Sequence, residues 1–116
     1  MEPVVLLYQD RRILVALKPP GVLSTDEPGG MPELLREILG EPEGCVRTAH
    51  RLDRPVGGLM VFARSRQAAS ILSEQIRMRS MEKTYLAVIR GTPPARQGTL
   101  RDLLLRDRES RTTRVT

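Results

Sequence analysis

The sequence has one cysteine, one histidine, no tryptophan and only three aromatic rings, Tyr8, Phe62 and Tyr85. A single thiol, Cys45, permits no internal disulfide, and one histidine beside it falls short of the four Cys/His ligands of a usual zinc site, so no metal is expected. Cys45 sits in the segment GEPEGC and reads as an incidental loop or core thiol rather than a nucleophile. Three rings are too few for a platform that stacks single-stranded bases. No apolar run approaches the roughly 20 residues that span a bilayer. The start, MEPVVLLYQD, lacks the basic region of a signal peptide. Neither membrane insertion nor export is expected, and the expected compartment is the cytoplasm.

What is present is positive charge on a chain of one-domain length. The 116 residues carry 19 Lys and Arg against 14 Asp and Glu, a net of +5. That balance favours a polyanionic partner. Seven arginines face three acidic residues between Arg90 and Thr116, so four of the five surplus charges lie there. With so few rings, RNA recognition would rest on shape and phosphate contacts.

The apolar pattern predicts a strand in VVLLYQD and another in RILVALK, joined by a tight turn at residues 9–12. KPPG then forms a rigid turn, because Pro19 and Pro20 fix φ and Gly21 is free to take a positive one. Residues 31, 34, 35, 38 and 39 repeat at helical spacing after Pro-Gly-Gly, with Gly40 as the stop. GLMVFARS, residues 58–65, reads as a strand buried on both faces. A second helix starts at Ser65 as N-cap, with Ala68, Ala69, Leu72 and Ile76 on its apolar side. MEKTYLAVIRG alternates as a strand placing Lys83, Tyr85, Ala87 and Ile89 on one side, and GTLRDLLLRD and SRTTRVT are weaker strands. The order β-β-α-β-α-β-β-β predicts an α+β fold with a mixed or antiparallel sheet and two flanking helices. The last strand ends in mid-pattern, which predicts a sheet completed by something outside this chain, and an open edge that invites self-association.

The chemistry concentrates in AHRLDRPVGGL, residues 49–59. His50 precedes Asp53 by three positions, and Arg51 and Arg54 flank that carboxylate. Neighbouring cations favour the charged form of a carboxylate, which then serves as nucleophile or base. The ordinary alternative is a surface corner in which Asp53 pairs with Arg51 or Arg54. No second carboxylate stands nearby, which leaves a two-carboxylate glycosidase unsupported. Gly57 and Gly58 read as an anion-binding nest or, more simply, as a bulge or close backbone approach. Tyr85 on its own is an ordinary half-buried strand aromatic.

The segments LKPPGVLST, TAHRLDRPVGGLMVFARS and EKTYLAVIRG, in this order and spacing, resemble the RluA family of pseudouridine synthases. That family carries a Lys-Pro-x-Gly motif, a His-Arg-Leu-Asp-x-x-x-x-Gly-Leu motif and a Lys-x-Tyr motif. The resemblance runs from about Val4 to Gly91, and Arg-Pro after the aspartate is most similar to the branch with tRNA-modifying members, alongside rRNA-modifying ones. It implies that Asp53 is the catalytic aspartate, acting at ribosyl C1′ while uracil is detached, turned and rejoined through C5. It implies that Arg51 helps expel and replace the flipped uridine, and that Tyr85 packs against the target base. His50, Arg54 and Lys83 join Arg51 as expected RNA contacts. No cofactor is implied, and the expected partner is structured tRNA or rRNA.

Two departures accompany the resemblance. Val56-Gly57-Gly58 stands where the family usually has Thr-Ser-Gly or Ser-Gly, so a hydroxyl is missing beside Asp53. A later motif of the Gly-Arg-x-His-Gln-Ile-Arg type does not occur, so residues 1–116 are expected to be one partial catalytic domain, its N-terminal half. The rival expectations are a non-catalytic RNA-binding fragment and a basic ribosome-associated structural protein, in which Asp53 and Tyr85 would be ordinary.

Overall fold

In a computed structural model, residues 3–107 and 112–115 are described, and they divide into two compact units, Met1–Lys83 and Thr84–Thr116. The first unit holds a four-stranded sheet built from β1 (Val5–Gln9), β2 (Ile13–Lys18), β3 (Arg47–Thr48) and β4 (Gly58–Ala63) in the order β1-β2-β4-β3. Every pairing in it is antiparallel. The second unit holds the hairpin of β5 (Leu104–Asp107) and β6 (Thr112–Val115). The fold is α+β, as the sequence predicted.

Alternation along β2 and β4 sorts their side chains onto two faces. Leu14, Ala16, Met60 and Phe62 are fully buried with Met31 and Leu35 of helix α1 (Met31–Leu39). Ala63, with Ile13 and Val61, packs instead with Ala68 and Leu72 of helix α2 (Arg66–Arg77). Each fully buried large side chain contributes about 1.5–3 kcal/mol. Residues that alternate along one strand thus meet different helices, which is why both helices are needed to cover this sheet.

The helix boundaries follow local chemistry. The Ser65 hydroxyl accepts from the Ala68 amide, satisfying one of the unpaired donors at the start of α2. Gly40 ends α1 in the left-handed conformation at φ +69°, and its amide donates to the Glu37 carbonyl. No helix among the described residues is long and apolar enough to cross a membrane.

Two expectations are corrected. The β4 strand is buried on both faces only toward its C-terminal end: Met60, Phe62 and Ala63 are fully buried, while Leu59, on the same face as Ala63, is 58% exposed. Its apolar run is continuous, but the Leu59 end of the second face carries no helix. Residues 81–91, read as a strand, form no strand at all, and Leu86 and Val88 are fully exposed. Alternation suits a pleated ladder but does not supply the partner that makes one, and no strand among the described residues pairs with this segment. The two-residue β3 had no counterpart in the sequence pattern.

Candidate active site

The segment from His50 to Gly57 leaves the short β3 and returns as β4. Its path is held by contacts reaching back to the end of β2 and the turn after it. Ser24, almost fully buried, donates its hydroxyl to the Leu52 carbonyl at 2.6 Å and accepts from the Leu52 amide at 3.0 Å. Leu52 itself is 7% exposed and belongs to the core. One residue later, a turn closes between the Val56 amide and the Asp53 carbonyl at 2.9 Å. Asp53 therefore follows an anchored core residue and opens a hydrogen-bonded turn.

Lys18 secures the other side of that turn. Following Leu14 and Ala16 on the inward face of β2, it is completely buried, and its Nζ donates to the carbonyls of Pro19 (3.1 Å), Arg54 (3.0 Å) and Val56 (2.6 Å). Burial pulls the Lys18 ammonium below the ordinary lysine value of 10.5, and the Asp53 carboxylate opposes that shift. Gly21 and Arg54 exchange two further bonds: the Gly21 amide donates to the Arg54 carbonyl at 2.6 Å, and Arg54 Nε donates to the Gly21 carbonyl at 2.9 Å. A Cβ on Gly57 would lie 3.0 Å from Pro20 Cδ and 3.3 Å from the Lys18 carbonyl. Gly57 thus makes a close backbone approach to Pro20, while a Cβ on Gly58 would lie 3.3 Å from Leu52 Cδ1.

Asp53 and Arg51 are both exposed, and neither side chain makes a hydrogen bond or ion pair among the described residues. The ion pairs found there are Arg36–Asp26, Arg64–Glu41 and Arg77–Glu74. The surface corner that would neutralise Asp53 with Arg51 or Arg54 is not formed, because Arg54 turns its Nε to Gly21. His50 is partly buried, and its Nε2 accepts from the Val61 amide at 3.1 Å, one residue along β4 from the Thr48–Phe62 pair that ends β3. Its Nδ1 is buried with no partner among the described residues. Burial and the nearby Lys83 charge push His50 below the usual imidazole value of 6.5. Lys83 is exposed at the end of the first unit, and Tyr85 is 58% exposed in the second.

Lys18 and Ser24 are the residues that reading for reactive groups passes over. The signal for Lys18 was available: a lone cation continuing the inward period of Leu14 and Ala16 has to find buried acceptors. Ser24 carries no such mark, since a serine after a turn is ordinary.

Comparison with known proteins bears on the same residues. The sequence model of the RNA pseudouridylate synthase family matches residues 12–115. The chain is 31% identical over 115 residues to a Bacillus subtilis protein described as an uncharacterized RNA pseudouridine synthase, YhcT, covering 94% of this chain and 38% of that one. It is 40% identical over 90 residues to ribosomal large subunit pseudouridine synthase C of Escherichia coli K12, covering 75% of this chain and 28% of the relative. It is 36% identical over 92 residues to tRNA pseudouridine synthase C of Haemophilus influenzae, covering 74% of this chain and 37% of the relative. The chain thus spans little more than a third of these relatives at most. Among solved structures, human RNA pseudouridylate synthase domain containing 4 superposes with a TM-score of 0.54 at 28% identity, over 66% of this chain and 30% of that one. With the family model covering nearly the whole sequence, and a fold that superposes on a solved pseudouridylate synthase domain, the chain belongs to the RNA pseudouridylate synthase family.

Proposed function

We propose that this protein isomerises uridine to pseudouridine in structured RNA, with Asp53 as the catalytic carboxylate. The observation that carries the reading is an exposed Asp53 carboxylate with no ion pair among the described residues, on a backbone held on one side by the buried Ser24–Leu52 bonds and on the other by the bond from Lys18 to Val56. A carboxylate in such a position is free to act at ribosyl C1′, and a fixed backbone keeps it there without reorganisation. The N1–C1′ bond of uridine breaks, the uracil turns, and C5 forms the new bond to C1′. The C5 proton leaves to solvent and N1 takes one up, so the product is an isomer of the substrate.

Chemistry on a base in folded RNA requires extrusion of the nucleotide. Arg51, with no protein partner among the described residues, supplies a planar guanidinium to fill the vacated stack or meet a phosphate. Arg54 and Lys83, both exposed, add charge toward the RNA backbone. His50 supports the loop through Val61, and Tyr85 takes the role its motif implies, the ring against the target base. The substrates named for the relatives, large-subunit ribosomal RNA and tRNA, make structured RNA of either kind the class to test.

The test is tritium release from C5-labelled uridine in bulk tRNA and rRNA by the wild-type chain and by Asp53→Asn. Release by the wild type alone supports the reading. Equal release by both removes Asp53 from the chemistry. A second reading, RNA binding without turnover, rests on the net charge of +5, and it predicts RNA binding with no release from either form.

A further inference from the structure

We propose that the corner of the sheet at the Ala63 end of β4, opposite the Asp53 turn, is a second RNA contact, where Arg11, Arg12, Arg47 and Arg66 bind backbone phosphates of a helical segment remote from the target uridine. The inference rests on the reading of RNA as the substrate, and on no step of the chemistry at Asp53.

Backbone pairing assembles the corner. Ala63, the last residue of β4, lies in register between Ile13 of β2 and Arg47 of β3. The Arg64 amide donates to the Arg12 carbonyl at 2.8 Å, and two residues later Arg66 opens α2. Arg11 and Arg12 lie in the turn between β1 and β2. Arginines from three separate stretches of chain therefore meet at one end of the sheet, while the Asp53 turn leads into β4 at the other. The rise along β4 from Gly58 to Ala63 is about 17 Å.

The charge at this corner is not spent inside the protein. All four side chains are exposed and make no hydrogen bond or ion pair among the described residues. Nearby carboxylates are engaged elsewhere: Asp10 accepts from the Tyr8 hydroxyl and from the Arg12 and Ile13 amides, and Glu41 pairs with Arg64 at 3.2 Å. Glu43, four residues before Arg47, still leaves the arginines in excess. Helix stability does not explain Arg66, which sits at the positive end of α2, where the first turn holds no acidic residue. Arg47 lines a depression of about 640 Å³ with Thr48 of β3 and Ala69 and Ser73 of α2. Arg66 precedes Ala69 by three residues and Ser73 by seven, which puts it on the same face of the helix. Arg36 and Asp26, also in that lining, satisfy each other through two bonds at 2.9 Å, so Arg47 is left as the unpaired charge there. A guanidinium presents a planar fork that matches phosphate oxygens. Forks repeated over the corner of a packed sheet fit the regular backbone of an RNA helix, which proteins recognise by shape and phosphate rather than by base.

The experiment measures affinity for bulk tRNA against salt in three proteins. They are the wild type, a fourfold variant (Arg11→Gln, Arg12→Gln, Arg47→Gln and Arg66→Gln), and a control pair, Arg77→Gln with Arg79→Gln, at the C-terminal end of α2 and just beyond it. The slope of log affinity against log salt is expected to fall by about 3 to 4 in the fourfold variant, near 0.9 for each lost contact with a duplex, and by less than about 0.5 in the control pair. Should the fourfold variant not fold, Arg12→Gln and Arg47→Gln singly are each expected to lower the slope by about 0.9. In tritium release, the fourfold variant is expected to keep the wild-type kcat at saturating tRNA while KM rises at least about tenfold, the signature of lost uniform binding. An unchanged slope in the fourfold variant, or the same loss per arginine in the control pair, would overturn the proposal. A wild type that binds tRNA without releasing tritium would count against the catalytic reading alone, and the slopes would then decide the role of this corner. A wild type with no affinity for tRNA would remove the RNA reading and this proposal with it.

Discussion

Ser24 and Leu52, 28 residues apart in sequence, exchange two hydrogen bonds: one hydroxyl serves both the amide and the carbonyl of the residue before Asp53. Replacing that hydroxyl leaves two backbone groups unpaired in a site that water does not reach. Ser24→Ala is expected to destabilise the protein by roughly 1–3 kcal/mol for each orphaned group, measured as a shift in the urea midpoint with an unchanged slope. Tritium release should fall with it, because the residue entering the turn loses its anchor.

The proline turn and the Asp53 segment meet without a side chain between them at Gly57. An added methyl would press on the Pro20 ring at 3.0–3.1 Å and on the Lys18 carbonyl at 3.3 Å. Gly57→Ala is expected to cost about 1–3 kcal/mol, the usual range for overpacking. Gly57→Val should cost more, and ranking the two by urea denaturation checks the account.

The pH dependence of stability has a definite sign at His50. Its folded-state value lies below 6.5, so the unfolded chain takes up a proton first as pH falls. The contribution of neutral His50 is fully present above about pH 6.5 and is lost as pH drops from there through the lowered folded value. Protonation removes the acceptor that Nε2 offers the Val61 amide. Thermal unfolding of wild type is expected to weaken across this interval, and His50→Gln, whose amide oxygen accepts without titrating, should flatten that part of the profile.

Arg51 makes no hydrogen bond or ion pair among the described residues, so its removal should leave stability within about 0.5 kcal/mol of wild type. Its loss should appear in RNA binding instead. Arg51→Ala is expected to weaken tRNA affinity and to reduce the slope of log affinity against log salt by about 1 for one lost phosphate contact. An unchanged slope with lowered turnover would assign the guanidinium to the flipped base rather than to phosphate. Asp53→Asn, by contrast, should bind RNA about as tightly as wild type while releasing no tritium.

What could be read in the sequence was what short stretches of chain decide for themselves. Ser65 caps α2 through the amide three residues on, Gly40 ends α1 because it adopts a positive φ readily, and the β1–β2 hairpin follows from two apolar runs joined by a short turn. The charged cluster at residues 50–54 was visible as a cluster too, because its members are neighbours. Interactions that depend on partners 28 to 38 residues away were not visible: Ser24 on Leu52, and Lys18 on Arg54 and Val56. Neither residue type names its partner, since a serine or a lysine meets any backbone carbonyl equally well. The same limit explains residues 81–91, where alternation promised a strand and no ladder formed. Local sequence determined which residues are able to turn, cap or react. Tertiary structure decided which carbonyls Lys18 reaches and that Asp53 stays unpaired among the described residues, because those outcomes depend on which distant groups the packed sheet and turn bring within hydrogen-bonding distance.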